Sequence, residues 1–283
     1  MHIPWWGKIG AKLFLSRLPF GYAVWQRIGF FRHGRMDSSE YALRIFNSHT
    51  EKTGLSNDLC DKTVLEIGPG DSIATAIIAK AHGARAILVD TGAFVRSDIE
   101  PYLELVRVLS RQRLSPPDLS GCLTIDDILV RCGARYMTEG LKSIASIESE
   151  SVDLIFSQAV LEHVSKREFR ETLQECRRIL RPDGICSHQV DLRDHLDGAL
   201  NNLRFSERIW ESEFFTKSGF YTNRIRYSQM LDLFDQAGYK VKITELQKWD
   251  VLPTPRAKLD ESFRHLREDD LLVSVFDVVM RRR

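Results

Sequence analysis

The sequence has no marked excess of charge of either sign. Its 283 residues contain 40 Lys and Arg against 39 Asp and Glu, which gives a formal net charge of +1 at pH 7. Proteins that bind nucleic acids usually carry a clear basic excess, because they neutralise phosphates. The composition therefore argues against nucleic acid as a partner.

Cysteine is scarce, and long apolar runs are missing. The five cysteines are odd in number and include no Cys-x-x-Cys pair. This pattern disfavours a zinc site and predicts reduced thiols that serve as small apolar side chains. No run approaches the ~20 apolar residues that span a bilayer. Together these absences predict a cytoplasmic protein that does not cross a membrane.

A short apolar segment runs directly into a glycine turn at residues 63–72. Its apolar first half is typical of a buried parallel strand. Gly68 and Gly70 lack a Cβ, so the backbone can turn sharply and a ligand can lie against the main chain. The helix predicted over residues 72–81 directs its amino-terminal N–H groups toward the same space. The segment therefore predicts a cofactor loop.

Two details of this loop favour S-adenosylmethionine over a dinucleotide as the cofactor. The third glycine of a dinucleotide fingerprint is replaced by Ile73. The carboxylate of Glu66 would repel a pyrophosphate but suits a ligand with a cationic centre and a free amino group. Asp90 ends a second predicted strand, where a carboxylate can accept both hydroxyls of a ribose. A nicotinamide oxidoreductase and a structural turn in an unrelated sheet are the less favoured alternatives.

Polar residues at the end of another predicted strand, residues 152–156, complete the candidate cofactor site. Their side chains can bond the adenosyl or amino-acid part of the ligand. The candidate cofactor-binding residues are Glu66, Gly68, Gly70, Asp71, Ser72, Asp90, Thr91, Ser157 and Gln158.

At these motifs the chain resembles the class I S-adenosylmethionine-dependent methyltransferases. The residues that match the first two motifs of that family are Glu66, Gly68, Gly70 and Asp90. Residues 152–164 resemble the family's fourth strand and the loop behind it, and residues 178–184 resemble the turn into the fifth strand. The resemblance implies a doubly wound, mostly parallel, seven-stranded Rossmann-like sheet. It also implies that Glu66 lies near the methionine end of the cofactor and Asp90 near its ribose.

The first 36 residues have a composition of their own. They carry six Lys and Arg and eight aromatic residues, and no acid precedes Asp37. Residues 1–50 are predicted to form either a helical lid over the cofactor cleft or a segment that rests on an anionic membrane surface from the cytoplasmic side. The lid is the favoured interpretation. The methyltransferase domain is then predicted over residues 51–283.

Two segments lengthen the predicted domain. Residues 93–135 are predicted to contain helices at 99–111 and 125–132, and they either shape the substrate pocket or form an inert surface excursion. Residues 196–227 interleave arginines with aromatic side chains and are predicted to form a cap. Guanidinium groups and aromatic rings suit a polar, ring-shaped or anionic acceptor, but they also suit an ordinary packed cap.

The fifth predicted strand, residues 185–190, leads into a segment rich in histidine and acid. His195 with Asp191, and His163 behind the fourth strand, are the candidate catalytic residues, because an imidazole oriented by a carboxylate can take a proton from an acceptor. Asp191, Asp194 and His195 also suggest a metal site, but the prediction is that no metal is bound. The candidate acceptor-binding residues are His188, Asp194, Arg204, Tyr221 and Arg224. His188 as a core histidine and Asp194 as a helix cap remain open alternatives.

Four further segments resemble a group of bacterial predicted methyltransferases often associated with cell-surface glycan synthesis. These segments are residues 3–6, 68–72, 188–195 and 221–226. The resemblance implies O-methylation of a sugar or sugar-lipid acceptor. The residues themselves indicate only an acceptor with a hydroxyl or anionic group, and the resemblance adds that it is a small molecule or is linked to a glycan or lipid. A catalytically silent cofactor-binding or scaffold protein is the alternative function.

Overall fold

The structure is a computed structural model that describes Gly7, Ile9 and residues 38–283. The remainder of the predicted aromatic and basic segment at the amino terminus lies outside the described residues.

Seven strands form one sheet in the order β3-β2-β1-β4-β5-β7-β6. The strands are β1 (Thr63–Ile67), β2 (Arg85–Val89), β3 (Arg135–Met137), β4 (Val152–Gln158), β5 (Leu180–Asp191), β6 (Tyr239–Lys248) and β7 (Val273–Arg282). Strand β7 pairs antiparallel with both β5 and β6, while the other neighbouring pairs are parallel. The predicted mostly parallel, seven-stranded α/β sheet is confirmed.

Helices connect the strands and cover the sheet. Their bounds are α1 (Ser39–Thr53), α2 (Ala74–Ala81), α3 (Glu100–Arg111), α4 (Ile125–Cys132), α5 (Leu141–Ala145), α6 (Phe169–Ile179), α7 (Glu207–Trp210), α8 (Glu213–Thr216), α9 (Tyr227–Gln236), α10 (Glu261–Arg264) and α11 (Glu268–Leu271). Short 3₁₀ helices occur at Asn201–Arg204 and Arg256–Lys258. No helix in the described part of the chain is both long and apolar enough to cross a bilayer.

Two apolar clusters lie on the two faces of the sheet, as the alternation along β1 requires. Val64 belongs to the cluster that includes α1, α2, α3 and α4. Leu65 and Ile67 belong to the cluster that includes α6 and α9. Because successive strand residues point to opposite faces, both faces of β1 are buried, which accounts for the apolar residues Val64, Leu65 and Ile67.

The predicted insertion at residues 93–135 contributes to the first of these clusters. Leu105 and Leu109 of α3 and Ile128 of α4 are fully buried in it. Helix α4 begins with a capping box: Thr124 accepts from the backbone N–H of Asp127, and the Asp127 side chain accepts from the backbone N–H of Thr124. This local signal is readable in the sequence, and the predicted helix has the predicted bounds. A role for the insertion in a substrate pocket stays a prediction.

Several element bounds differ from the prediction for identifiable reasons. Helix α2 begins at Ala74 rather than Ser72, because the Ser72 hydroxyl accepts from Ala74 N at 3.2 Å and holds a turn there. The arginines at residues 281–283 predict a solvated tail, but Arg282 departs from this expectation. This residue ends β7, and its guanidinium donates to Leu180 O at 2.9 Å and Glu150 Oε1 at 2.7 Å.

Helix α1 continues through the predicted boundary of the lid at residue 50. It begins with Ser38 as its amino-terminal cap and ends at Gly54, which has a left-handed backbone. Ala42, Ile45 and Phe46 are buried against the sheet. The helix therefore belongs to the core of the sheet and carries residues to its carboxyl edge.

Candidate active site

The glycine loop after β1 is shaped by contacts that only glycine permits. Gly68 has φ +74° and donates its N–H to Val89 O of the neighbouring strand at 2.8 Å. A Cβ on Gly68 would lie 2.5 Å from Cγ2 of Val160, which is in the loop behind β4. Gly70 also has a positive φ, of +67°. The loop therefore brings bare backbone to the carboxyl edge of the sheet, where ligands of open α/β sheets bind.

Asp90 follows β2 and closes the side of this loop. Its Oδ2 accepts from Gly70 N at 3.0 Å, and its Oδ1 accepts from Thr91 N at 2.7 Å. Partial burial raises the pKa of Asp90, and the two backbone N–H groups act in the opposite direction. The carboxylate is thus fixed beside the glycine turn at the position predicted for a ribose partner.

Glu66 lies under the loop and is almost completely buried, which is unusual for a carboxylate. Its side chain is only 2% exposed, and its Oε2 has no hydrogen-bond partner among the described residues. Burial raises its pKa to about 8, the charge of Asp90 adds to this, and the Thr75 hydroxyl opposes it. A buried carboxylate with an unsatisfied oxygen has a strong electrostatic reason to meet a cation. This arrangement fits the sulfonium and ammonium groups of S-adenosylmethionine.

The remaining residues of the loop form its floor. Ile73 is fully buried and fills the space beneath α2 where a dinucleotide fingerprint has its third glycine. Its N–H donates to the Tyr102 hydroxyl at 3.1 Å. Asp71 and Ser72 are also buried, and Asp71 O accepts from Arg96 N at 3.0 Å. The buried isoleucine supports the argument against a dinucleotide.

Ser157, Gln158 and His188 lie in a polar network at the ends of β4 and β5. The Ser157 hydroxyl is 2.8 Å from Nδ1 of His188. Gln158 Oε1 is 3.2 Å from Nε2 of His49, whose Nδ1 is 2.7 Å from the Ser187 hydroxyl. His49, on α1, was not among the predicted site residues. These contacts link α1 to the ends of two central strands.

The two histidines of this network are buried in neutral form. Burial lowers the pKa of His188 to about 3 and that of His49 to about 4, with a further contribution to His49 from the charge of Lys52. Neutral imidazoles of this kind orient neighbouring hydroxyl and amide groups. They are poor bases at physiological pH. His188 therefore has the surroundings of a core histidine whose hydrogen bonds are satisfied, which was the open alternative to acceptor binding.

A second group of titratable residues lies in the loops behind β4 and β5. Nε2 of His163 is 3.0 Å from Nε2 of His195, and their rings stack with centroids 4.8 Å apart. Nδ1 of His163 donates to Tyr221 O at 2.8 Å. Because a carbonyl can only accept, this contact places a proton on Nδ1 and leaves Nε2 of a neutral His163 as an acceptor. Both rings reach solvent.

Glu162 lies next to this pair and is buried. It is 1% exposed, and neither carboxylate oxygen has a hydrogen-bond partner in the described chain. Burial raises its pKa well above the usual range, the charge of Asp191 adds to this, and the charge of Arg193 opposes it. One ligand atom from each of Glu162, His163 and His195 lies within 4.8 Å of the others.

Asn223 of the predicted cap holds the loop that carries Glu162 and His163. Its side-chain amide donates to Leu161 O at 2.8 Å and to Val164 O at 3.0 Å, and its backbone N–H donates to Glu162 O at 2.7 Å. Asn223 is 1% exposed. This positioning residue was missed in the sequence, where no local pattern distinguishes it from other polar cap residues.

The two acids near His195 bond to other groups. Asp191 accepts two side-chain hydrogen bonds from Arg193, at 2.9 and 2.7 Å. Asp194 is buried and accepts from the backbone N–H groups of Leu196, Asp197 and Asn201. Asp194 therefore organises its own loop, in agreement with the capping alternative. The metal arrangement considered for Asp191, Asp194 and His195 gains no support from these contacts.

The predicted acceptor-binding residues of the cap mostly bond within the cap. Arg224 is 4% exposed, donates to Glu207 Oε2 at 2.7 Å and lies over the ring of Trp210. The Tyr221 hydroxyl donates to Glu211 Oε2 at 2.9 Å, and Arg204 donates to Asn201 Oδ1 at 2.9 Å. Four of the five predicted acceptor-binding residues are buried, and Arg204 is partly exposed.

Comparisons with known proteins add evidence on the class of protein. A family model described as a methyltransferase domain matches residues 122–187, which run from the turn before α4 into β5. A comparison with curated proteins gives no match. The chain resembles a protein from Pyrococcus horikoshii at 12% identity, covering 93% of this chain and 100% of that one, with a TM-score of 0.47.

Two further solved structures are S-adenosylmethionine-dependent methyltransferases. The one from Methanosarcina mazei has 13% identity and a TM-score of 0.46, with 78% of this chain and 93% of that chain covered. The one from Mesorhizobium loti has 14% identity and a TM-score of 0.43, with 80% and 93% covered.

The matched methyltransferase domain and the seven-stranded sheet confirm the predicted class of enzyme, a methyltransferase that uses S-adenosylmethionine. The match does not include the glycine loop, so the roles of individual residues rest on the geometry described above.

The raised pKa of Glu66 predicts that cofactor binding releases a proton. With a pKa of about 8, Glu66 is ~90% protonated at pH 7 in the free protein. A cationic ligand favours the carboxylate, so binding should release up to ~0.9 proton at pH 7, and affinity should rise with pH until about 8 and then level off. Calorimetry in two buffers of different ionisation enthalpy measures this release.

Glu66→Gln is the control for this measurement, because it keeps the size of the side chain and removes its titration. The variant should release ~0.9 proton fewer than the native protein. Without ligand it should also become more stable than the native protein as pH rises from 4.5 to about 8, since burying the charged form costs free energy over that window. Equal proton release by both proteins would contradict the role of Glu66.

Proposed function

We propose that this protein transfers the methyl group of S-adenosylmethionine to an oxygen of a sugar, a sugar-lipid or another small acceptor with a hydroxyl or anionic group. The observation that carries the proposal is the position of two chemically distinct groups at one edge of the sheet. Buried Glu66 and anchored Asp90 lie beside the glycine loop, and the His163 and His195 pair lies in the loops behind β4 and β5.

On the cofactor side, different residues are proposed to contact different parts of the ligand. Glu66 would face the cationic methionine end, Asp90 the ribose hydroxyls, and the bare backbone at Gly68 and Gly70 the body of the nucleoside. Asp71, Ser72, Thr91, Ser157 and Gln158 complete the proposed site. When bound, the cofactor supplies a methyl group on a positively charged sulfur that is already activated for transfer.

On the acceptor side, the protein has to align a nucleophilic oxygen and receive its proton. The solvent-accessible pair of His163 and His195 is suited to the second task, because an imidazole pair can bind one more proton. Asp191 is proposed to act on this pair only through its charge, since its carboxylate bonds to Arg193. Arg204 is proposed to contact the acceptor, while His188, Asp194, Tyr221 and Arg224 shape the surrounding loops.

Incubation with cofactor carrying a labelled methyl group, followed by fractionation of a cell extract into glycans, lipids and small molecules, tests the proposal. We expect label in the glycan or lipid-linked fraction, together with the demethylated product of the cofactor. An incubation without the protein is the control. Binding of the cofactor without label in any fraction would instead support a catalytically silent cofactor-binding or scaffold protein.

For residues 1–36 we propose a lid over the cofactor cleft. Ile9 supports this role, because it is buried in a cluster with Leu196, Trp210 and Phe220 of the cap region. A peripheral contact with the inner face of a membrane is the alternative for this segment. The burial of Ile9 against the cap makes that residue unavailable to a bilayer and so favours the lid.

A further inference from the structure

The carboxylate of Glu162 is buried, and the proposed methyl transfer does not explain why an ionisable group lies there. Both of its oxygens lack hydrogen-bond partners among the described residues, and the side chain is 1% exposed. The backbone N–H groups of Glu162 and Asp191 lower its pKa slightly, but they form no hydrogen bond of normal geometry with it. A proton would remove the charge and still leave a buried O–H without an acceptor.

Together with Glu162, the two histidines bring three possible ligand atoms close to one another. The Nε2 atoms of His163 and His195 are 3.0 Å apart, and the ligand atoms of all three residues lie within 4.8 Å. Two nitrogens bound to one ion at about 2.1 Å are ~3.0 Å apart near a right angle and ~3.4 Å apart at the tetrahedral angle of zinc. The separation of the two nitrogens is therefore within a few tenths of an ångström of that in a shared site, and binding would also draw the Glu162 carboxylate toward the ion.

The support around His163 is of the kind that metal sites use. Its Nδ1–H donates to Tyr221 O at 2.8 Å, which fixes the tautomer with the lone pair on Nε2. Metal-binding histidines almost always donate their other ring N–H to a carbonyl or carboxylate in this way. Asn223 holds the backbone on both sides of Glu162, so the carboxylate and the first imidazole keep a fixed relation.

We propose that Glu162, His163 and His195 bind a divalent first-row transition-metal ion, with zinc the simplest case. Two imidazoles and one carboxylate favour zinc and its neighbours over magnesium or calcium, which prefer oxygen ligands alone. The site is open to solvent through the two histidines, so a further position on the ion is available to an acceptor oxygen. An ion there would lower the pKa of a bound acceptor hydroxyl, whose proton would pass to water, and the two histidines would then serve as ligands rather than as a base.

Titration of the chelator-treated full chain with Co²⁺, followed by its visible absorption, and with Zn²⁺ by calorimetry tests the proposal. We expect one saturable site in the native protein and no matching site for Mg²⁺. Glu162→Gln and His195→Ala should each weaken Co²⁺ binding at least ~10-fold. The matched controls Glu168→Gln and His265→Ala, which change exposed residues outside the cluster, should bind Co²⁺ as the native protein does.

The thermal unfolding midpoint of each variant separates loss of a ligand from loss of the fold. Glu162→Gln keeps the size of the side chain, so a thermal midpoint near that of the native protein would show that weaker Co²⁺ binding reflects the lost ligand rather than a lost fold. Absence of a saturable site in the native protein, or equal Co²⁺ binding by Glu162→Gln and both controls, would overturn the proposal. No methyl donor is present in these titrations, so their outcome is independent of whether the protein transfers a methyl group.

Discussion

Gly68→Ala is expected to weaken the binding of S-adenosylmethionine at least ~30-fold. The residue has φ +74°, a conformation that costs a residue with a Cβ about 1–2 kcal/mol. Its new Cβ would also lie 2.5 Å from Cγ2 and 2.9 Å from Cγ1 of Val160, and overpacking of this kind typically costs about 1–3 kcal/mol. The free protein can relieve this strain by moving the loop, whereas the bound form needs the tight turn, so the cost appears in the binding constant.

Two variants separate the contributions to this effect. Gly54→Ala is the matched control, because Gly54 has φ +78° and no atom within 4 Å of an added Cβ. It should lower stability by a similar backbone cost and leave cofactor affinity unchanged. In the double variant Gly68→Ala with Val160→Ala, part of the lost affinity should return, since the clashing methyl groups are gone. Native-like affinity of Gly68→Ala in a calorimetric titration would contradict the proposed position of the cofactor.

Features set by local chemistry could be predicted from the sequence. The apolar segment of β1 is readable in the sequence because a strand that is buried on both faces needs apolar residues. The glycines after it are readable because the turn needs a positive φ, which glycine adopts most easily. Helix α4 is equally local, since Thr124 and Asp127 cap each other three residues apart. The seven-stranded, mostly parallel sheet was predicted from the resemblance to a known family, and the structure confirms it.

Contacts between distant parts of the chain could not be predicted in the same way. His49 lies 138 residues from Ser187 in sequence, and only the packing of α1 on the sheet brings them together. The carboxylate predicted to orient His195 was Asp191, its neighbour in sequence. The structure instead gives Asp191 two bonds to Arg193 and places buried Glu162, from another loop, beside both histidines. Proximity in sequence therefore does not reveal which carboxylate lies beside the histidines.

His195→Ala is expected to lower the turnover number by ~10²–10⁴ while the dissociation constant of S-adenosylmethionine stays unchanged. General base catalysis typically contributes that factor, and His195 is proposed to face the acceptor. The pair geometry supports the role: His163 is held with its Nε2 as an acceptor, so His195 donates across the 3.0 Å contact when both rings are neutral. A proton from an acceptor hydroxyl would then be shared by two imidazoles.

The comparison of turnover with cofactor affinity distinguishes this role from a structural one. A loop that merely unfolded on loss of His195 would disturb its partner His163, and through the carbonyl of Tyr221 the cap as well, so the thermal midpoint would fall with activity. The control His265→Ala should keep native turnover. Native protein treated with chelator resolves the remaining choice. If it keeps full turnover, the histidines act as a base, whereas a loss restored by Zn²⁺ means that they act through an ion. Unchanged turnover of His195→Ala would remove the residue from the mechanism in either form.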